Sequence, residues 1–297
     1  MQVFHAGEDI VTGGSVVALG DFDGLHIAHM TIIRSGINYA RDRGLKSGIL
    51  LFEENTKGAR LITPNEAKLE LLEREKPDFV YLRKFTKEFM RLSPREFVEL
   101  LIKNLNIKAV CVGYDYSFGY KAEGDVELLK KFGAEYGFDV LVTGAMSLDG
   151  KIISSTYIRS LIESGDIEEA NKFLGRRFCV EGIVLSGLQN GRKMGIPTAN
   201  VNYDPKMAMP KSGVYAGITY VDGRRLKCVI NVGANPTFNA DKITIESHIL
   251  DFDEDIYGKY IRVSFALRMR GDIKFDSIAA LKEQIHSDID KVREMEL

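Results

Sequence analysis

Two histidines three residues apart, in Gly20-Asp21-Phe22-Asp23-Gly24-Leu25-His26-Ile27-Ala28-His29, are the densest chemical signal in this 297-residue chain. Small residues before a helix let a polyphosphate approach the backbone, where the first helical N–H groups are unpaired. His26 and His29 share one side of a helical turn. There they can donate hydrogen bonds to phosphate oxygens as charge builds on an α-phosphate and a leaving pyrophosphate. The competing readings are a zinc pair or two capping histidines, but five His and three scattered Cys leave little to complete a zinc tetrahedron. A second signal is Ser154-Ser155-Thr156-Tyr157-Ile158-Arg159. It reads as a phosphate clamp at a helix start, or as a Ser/Thr cap beside a surface arginine.

A third signal lies far downstream. Gly182, Gly187, Gly191 and Gly195 lead into Ile196-Pro197-Thr198-Ala199-Asn200, with Arg192 and Lys193 between the last glycines. The spacing suits a loop over a nucleotide's phosphates, although hairpins need glycines too. In an extended segment Thr198 and Asn200 fall on one face. Two neutral oxygen ligands suit Mg²⁺, which keeps waters and takes the rest of its shell from phosphates. Glu246 shares a strand face with His248 and Leu250. A carboxylate there can take the proton from a primary alcohol attacking phosphorus, or serve as a cross-strand salt-bridge partner.

The first of these signals needs a strand-to-helix turn, and the chain supplies one. Apolar runs at 15–20, 48–52, 79–82, 109–112 and 138–142 are short, β-branched and nearly continuous, as in parallel strands covered on both faces. Helical periods fill the gaps at 64–75 and 94–105, where Thr63-Pro64 and Ser93-Pro94 read as caps followed by Pro. These βα units imply an α/β fold with an open, doubly wound parallel sheet. Beyond Phe173, strand-like segments at 182–186, 213–221, 225–232, 244–252 and 260–267 are divided by turns, and helix returns at 278–293. They predict a small antiparallel β-barrel with a C-terminal helix, so that residues 1–173 and 174–297 form two domains.

The chain carries 40 Lys+Arg against 42 Asp+Glu, and its residues are 45 % hydrophobic. That balance excludes a disordered chain and speaks against general nucleic-acid binding. The first residues lack a basic, then apolar, leader, and no window approaches the roughly 18 apolar residues of a membrane span. Three isolated cysteines fit a reduced, cytoplasmic setting.

The His-x-x-His and the late Ser-Ser-Thr-x-Ile-Arg resemble the nucleotidyltransferase superfamily. More narrowly, residues 20–26 are similar to the Gly-x-Phe-Asp-Gly-x-His opening of prokaryotic bifunctional riboflavin kinase/FAD synthetases. Val112-Gly113-Tyr114-Asp115-Tyr116-Ser117-Phe118-Gly119 resembles that family's segment beside the flavin site. Gly191–Asn200 is similar to the flavokinase signature Gly-Arg-x-x-Gly-x-Pro-Thr-Ala-Asn. Matches at Gly213–Tyr215, Asn231–Gly233, Asn235–Phe238, Glu246–Phe252, Asp255–Gly258 and Arg270–Phe275 follow in order. Ala28 and Met30 stand where the family has Gly and Gln, Asp272 where it has Glu, and Phe52–Thr56 replaces its Pro-His-Pro.

The resemblance implies two transfers. In the barrel, the ribityl 5′-hydroxyl of riboflavin attacks the γ-phosphate of ATP·Mg²⁺, giving FMN. In the first domain, the FMN phosphate attacks the α-phosphate of a second ATP, giving FAD. It implies catalytic roles for His26, His29 and Arg159 in one half and for Glu246 in the other. ATP for adenylyl transfer would meet Gly20, Asp23, Gly24, Ser154, Ser155 and Thr156, and the flavin would meet Asp115 and Tyr116. ATP in the kinase half would meet Gly187, Gly191, Arg192, Gly195, Pro197, Thr198 and Asn200, the last two also holding the metal. Arg270 and Phe275 would bind the flavin there. The partners implied are ATP, riboflavin and FMN, without nucleic acid or membrane, and a weak homo-oligomer is left open. The departures motivate one alternative, a riboflavin kinase with a decayed adenylyltransferase half. A flavin- or nucleotide-binding regulator is another, and an RNA-linked class I ligase a third.

Overall fold

The computed structural model describes all residues except 6, 8–12, 54–57, 187–190, 192–193 and 235–242. The chain forms two compact units, Met1–Ser155 and Thr156–Leu297.

The first unit is a six-stranded parallel sheet. Its strands are β1 (Gln2–His5), β2 (Ser15–Ala18), β3 (Lys46–Phe52), β4 (Phe79–Arg83), β5 (Ile107–Gly113) and β6 (Asp139–Thr143), in the spatial order β1-β4-β3-β2-β5-β6. Helices α1 (Ile27–Asp42), α2 (Asn65–Glu75), α3 (Pro94–Leu105) and α4 (Val126–Tyr136) make the crossovers. Alternate residues of each strand serve opposite faces. Val17, Leu50, Tyr81 and Val110 pack with Phe97 and Leu101 of α3 and Leu129 of α4. Val16, Ile49, Val80 and Ala109 pack with Ile33 and Ile37 of α1 and Leu72 of α2. This two-sided cover explains the continuous apolar runs. The chain runs outward from β2 through β3 to β4, then returns to add β5 on the other side of β2. A crevice therefore opens at the carboxyl ends of β2 and β5.

Two expectations for this unit change. The edge strand β1 pairs with β4 although its four residues are largely exposed and carry no apolar run. Ser93 caps α3 with Pro94 behind it, as read, and Glu96 completes a capping box. At α2, however, Pro64 is itself the cap and makes no side-chain cap bond, while Thr63 is buried.

In the second unit, α5 (Ser155–Ser164, its first residue lent by the first unit) and α6 (Ile167–Leu174) precede a closed six-stranded barrel. The Asn171 amide of α6 donates to the Phe265 and Ala266 carbonyls and accepts from Phe178 N–H, fastening this helix to the barrel. The barrel strands are β9 (Phe178–Leu185), β10 (Ala199–Asn202), β11 (Gly213–Val221), β12 (Arg224–Ala234), β13 (Ile243–Ile249) and β14 (Tyr260–Arg270), after a short β7–β8 hairpin (Ser147–Leu148, Lys151–Ile152) in the first unit. All barrel pairs are antiparallel, in the order β10-β13-β12-β11-β14-β9. Tyr215, Phe178 and Phe265 fill its centre with ring centroids 5.4 and 5.7 Å apart. A C-terminal helix, α7 (Ile278–Glu294), sets Ile289 and Val292 against Val214, Ala216, Val229 and Leu250 on the outside.

Candidate active sites

The loop after β2 is strained and buried at once. Phe22 and Leu25 adopt left-handed backbone with φ of 46° and 41°, and Gly24 between them has φ of 84°. Such a conformation costs a non-glycine residue about 1–2 kcal/mol. Burial of the Phe22 and Leu25 side chains in the core offsets it, at about 1.5–3 kcal/mol each. Strain held this way marks a loop whose shape matters.

Asp23, 4 % exposed, is the hub of this loop. Its Oδ1 accepts from Ile62 N–H (2.9 Å) and its carbonyl from the Ser155 hydroxyl (2.8 Å). The loop after β3 and Ser155 are thereby pinned to the turn carrying Gly20, Gly24 and His26. Ser154 directly precedes α5, while Thr156 and Arg159 continue that helix, Arg159 one turn beyond Ser155.

His26 is the N-cap of α1, and its Nδ1 accepts from His29 N–H at 3.3 Å. A neutral ring accepting at Nδ1 carries its proton on Nε2, a donor for an oxyanion. The His26 and His29 rings stack with centroids 3.5 Å apart, and His29 meets the edge of Phe22 at 5.3 Å. Within the first unit α2, α3 and α4 begin with an acidic residue in their first turn, and α1 does not. Its positive end is left for an anion.

The other lip of the crevice follows β5. Asp115 is exposed, and Tyr116 is stacked parallel to Phe118 at 5.8 Å. Burial, and after it the charge of Asp21, holds the Tyr116 hydroxyl well above the usual tyrosine range. One group here went unread in the sequence. Lys68 of α2 is 3 % exposed. Its burial pulls the ammonium's pKa down, while Asp23 and Asp21 oppose that pull. In the sequence it is one charge among several in a helical period.

In the barrel, strand register does the assembling. Asn200 of β10 faces Glu246 of β13; Glu246 faces Asn231 of β12; Asn231 faces Val214 of β11; Val214 faces Arg270 of β14. These five residues form one row, with neighbouring strands about 4.8 Å apart. Ile245 and Ser247 are buried on either side of Glu246, so Glu246 and its row face outward. Burial alone lifts the Glu246 carboxyl above the ordinary carboxylate range. Arg270 Nε donates to Asp288 of α7 at 2.9 Å, and Gln284 donates to the other Asp288 oxygen at 3.0 Å. Phe275, five residues on, is half-buried. Exposed Asn231, beside Glu246, lies in a matched motif but had no role read for it.

Thr198 and Asn200 line a cavity of about 210 Å³ with Phe252, Asp253, Asp255 and Tyr257. This is below the roughly 300 Å³ of a typical small-molecule pocket. Gly187 and Arg192 lie outside the described residues, as do Asn235–Phe238 of the matched motifs. Gly195 has φ of 78° and Pro197 is exposed. The Gly191 carbonyl accepts from Met194 N–H (3.0 Å) and Ile196 N–H (2.8 Å), closing a tight turn. A Cβ on Gly191 would stand 2.4 Å from the Ile196 carbonyl oxygen. Overpacking of this kind costs about 1–3 kcal/mol, so Gly191→Ala is expected to raise KM for ATP in riboflavin phosphorylation roughly tenfold. Initial rates at varied ATP, with FMN adenylylation as control, check this.

Thr198 and Asn200 offer neutral oxygens beside acidic side chains, a donor set suited to a hard cation that also binds phosphate. Among the described residues no group of three or more His, Cys, Asp or Glu is arranged to hold a metal by itself.

The FAD synthetase family model matches residues 9–157, and the riboflavin kinase model residues 174–296. The bifunctional riboflavin kinase/FMN adenylyltransferase of Listeria monocytogenes is 35 % identical over 92 % of this chain and 90 % of its own length. That of Bacillus subtilis is 33 % identical over the same shares, 92 % and 90 %. Among solved structures, a macrolide-efflux protein from Streptococcus pneumoniae matches with a TM-score of 0.91 and 31 % identity, covering 100 % of both chains. No helix among the described residues is long and apolar enough to cross a membrane. With matches to both family models and over nine-tenths of its relatives' common length, the chain belongs to the bifunctional riboflavin kinase/FMN adenylyltransferase family.

Proposed function

We infer that this chain phosphorylates riboflavin to FMN and adenylylates FMN to FAD, each at the expense of ATP. The observation that supports it is the cross-strand row that brings Asn200, Glu246 and Arg270 together, residues read here as a metal and phosphate contact, a base and a flavin contact. Glu246 takes the proton of the ribityl 5′-hydroxyl as that oxygen attacks the γ-phosphorus; ADP leaves, and the proton passes to solvent. Its raised pKa brings its basicity towards the working pH. Thr198 and Asn200 would hold Mg²⁺, which when bound supplies charge neutralisation on the phosphates. Arg270, aimed by Asp288, and Phe275 hold the flavin, and the 187–195 loop covers the nucleotide.

In the first half the nucleophile, the FMN phosphate, is already anionic, so no base and no covalent intermediate is required. It attacks the α-phosphorus of ATP and pyrophosphate leaves. His26, His29 and Arg159 stabilise the transferred charge. Gly20, Asp23, Gly24, Ser154, Ser155 and Thr156 hold the ATP, and Asp115 and Tyr116 the flavin. We take the activities to divide at residues 173 and 174. In this reading the enzyme works in the cytoplasm on small molecules and engages neither nucleic acid nor membrane. The near-even charge and the three free cysteines support that setting.

Incubation with riboflavin, ATP and Mg²⁺, followed by chromatography of the flavins, tests both halves. FMN and FAD are the expected products. FMN alone would favour the decayed-domain alternative, and neither product would favour a binding regulator.

A further inference from the structure

The hydrogen-bonded ladder between β10 and β13 pairs Asn200 with Glu246 and Ala199 with Ser247, and goes no further. Beyond it the next residues on β10's side are Thr198 and Pro197, and a proline has no amide N–H to extend the ladder. The tie at that point is a side chain. His248 Nδ1 lies 2.8 Å from the Pro197 carbonyl oxygen. A carbonyl only accepts, so Nδ1 donates and, in the neutral ring, Nε2 keeps the lone pair. Burial favours that neutral ring and outweighs the bond to the Pro197 carbonyl, which favours the charged one; His286 and Arg293 of α7 act with burial, and Asp251 acts against it. From the other side, the Gly191 turn returns the chain to Ile196 through its two bonds. Pro197–Asn200 is thus gripped at the turn before it, at its carbonyl by His248, and at its end by the ladder.

We propose that His248 is a positioning residue of the kinase site: by holding the Pro197 carbonyl it directs the Thr198 hydroxyl and Asn200 amide at the phosphates and cation of ATP. The inference rests on the functional reading above, in which those two side chains meet ATP·Mg²⁺. It also explains why the arrangement is built on β13. Glu246 and His248 lie two residues apart on one face of one strand. The base and the clamp on the phosphate-binding segment therefore share a rigid element, and the strand itself sets their separation.

The test compares His248→Leu, which fills the space without a donor, with His248→Asn, whose amide N–H reaches the place of Nδ1. In the full chain, KM for ATP and kcat are measured for riboflavin phosphorylation. Binding of a non-hydrolysable ATP analogue with Mg²⁺ is followed by two-site calorimetry, the adenylyltransferase site serving as internal reference. His248→Leu is expected to weaken analogue binding at the kinase site and raise KM by up to about tenfold, the upper end of what one lost hydrogen bond costs. Its kcat changes less, and His248→Asn restores both constants to within about threefold of the parent. Parental binding and KM in His248→Leu would overturn the proposal, as would a His248→Asn protein no better than His248→Leu. Should His248→Leu not fold, His248→Gln takes its place, since its amide reaches towards Nε2 and misses the Pro197 carbonyl. A parent that makes no FMN would overturn the functional reading itself. A parent that makes FMN beside an unaffected His248 variant overturns only the clamp.

Discussion

Glu246→Gln is expected to slow riboflavin phosphorylation by about 10²–10⁴, the usual share of a general base, while conversion of supplied FMN to FAD stays at the parental rate. The substitution keeps the shape and the hydrogen-bonding capacity of the side chain and removes only its ability to accept a proton. The parental enzyme should show an acidic limb in its pH–rate profile, with activity rising as Glu246 ionises. Because burial lifts this carboxyl, the limb lies above the ordinary carboxylate range, and it disappears in the variant. Stability carries the same signature with a definite sign. A carboxyl with a raised folded-state pKa binds its proton more tightly when folded. Its contribution to stability is therefore complete below the unfolded value and lost as pH rises through the folded one. At neutral pH the glutamine protein should melt higher than the parent, and the gap should close as pH falls below the unfolded carboxylate range. A variant that phosphorylates riboflavin at half the parental rate would make Glu246 structural.

What the sequence could and could not reveal follows from how each feature is encoded. Strands β3, β4 and β5 were legible because helices cover both faces, leaving apolar runs that no polar alternation interrupts. Edge strand β1 was not, since most of its side chains are exposed, Phe4 alone packs on the core, and its pairing with β4 is a backbone matter. Among the candidate sites, the His26–His29 spacing and the Thr198–Asn200 alternation are local and could be read directly. The row joining Asn200, Glu246, Asn231 and Arg270 is set by register between strands far apart in sequence, and no local spacing records it. Lys68 shows the same limit. Its type is visible, but its burial beside Asp21 and Asp23 arises only when α2 packs on the loop after β2. The left-handed turns at Phe22 and Leu25 run against residue preference, and Gly24 was their only local sign.

His29→Ala is expected to reduce FAD formation from FMN by about 10²–10³, the loss typical of one preorganised donor at a transferred phosphate, while FMN formation stays near wild type. His29 contributes in two ways that the substitution separates. Its backbone N–H donates to His26 Nδ1, and that bond survives in alanine. Its imidazole stacks on the His26 ring and meets the edge of Phe22, and both contacts vanish. His26 therefore keeps its tautomer but loses one wall of its seat, so part of the effect reaches the transition state through His26. His29→Phe distinguishes the two contributions, because a ring without donors keeps the wall. If catalysis needs the His29 donor, the Phe and Ala proteins fall together. If His29 serves mainly to seat His26, the Phe protein recovers most of the activity. The kinase half supplies the control in the same tube, since its row of residues lies on the barrel strands. Loss of FMN formation in His29→Ala would show that the two sites are not separate. A parent that makes no FAD would move the question to Ala28, half-buried in the first turn of α1 where the resembling family has glycine. Ala28→Gly then becomes the restoring substitution, at a cost of up to about 1 kcal/mol in helix stability.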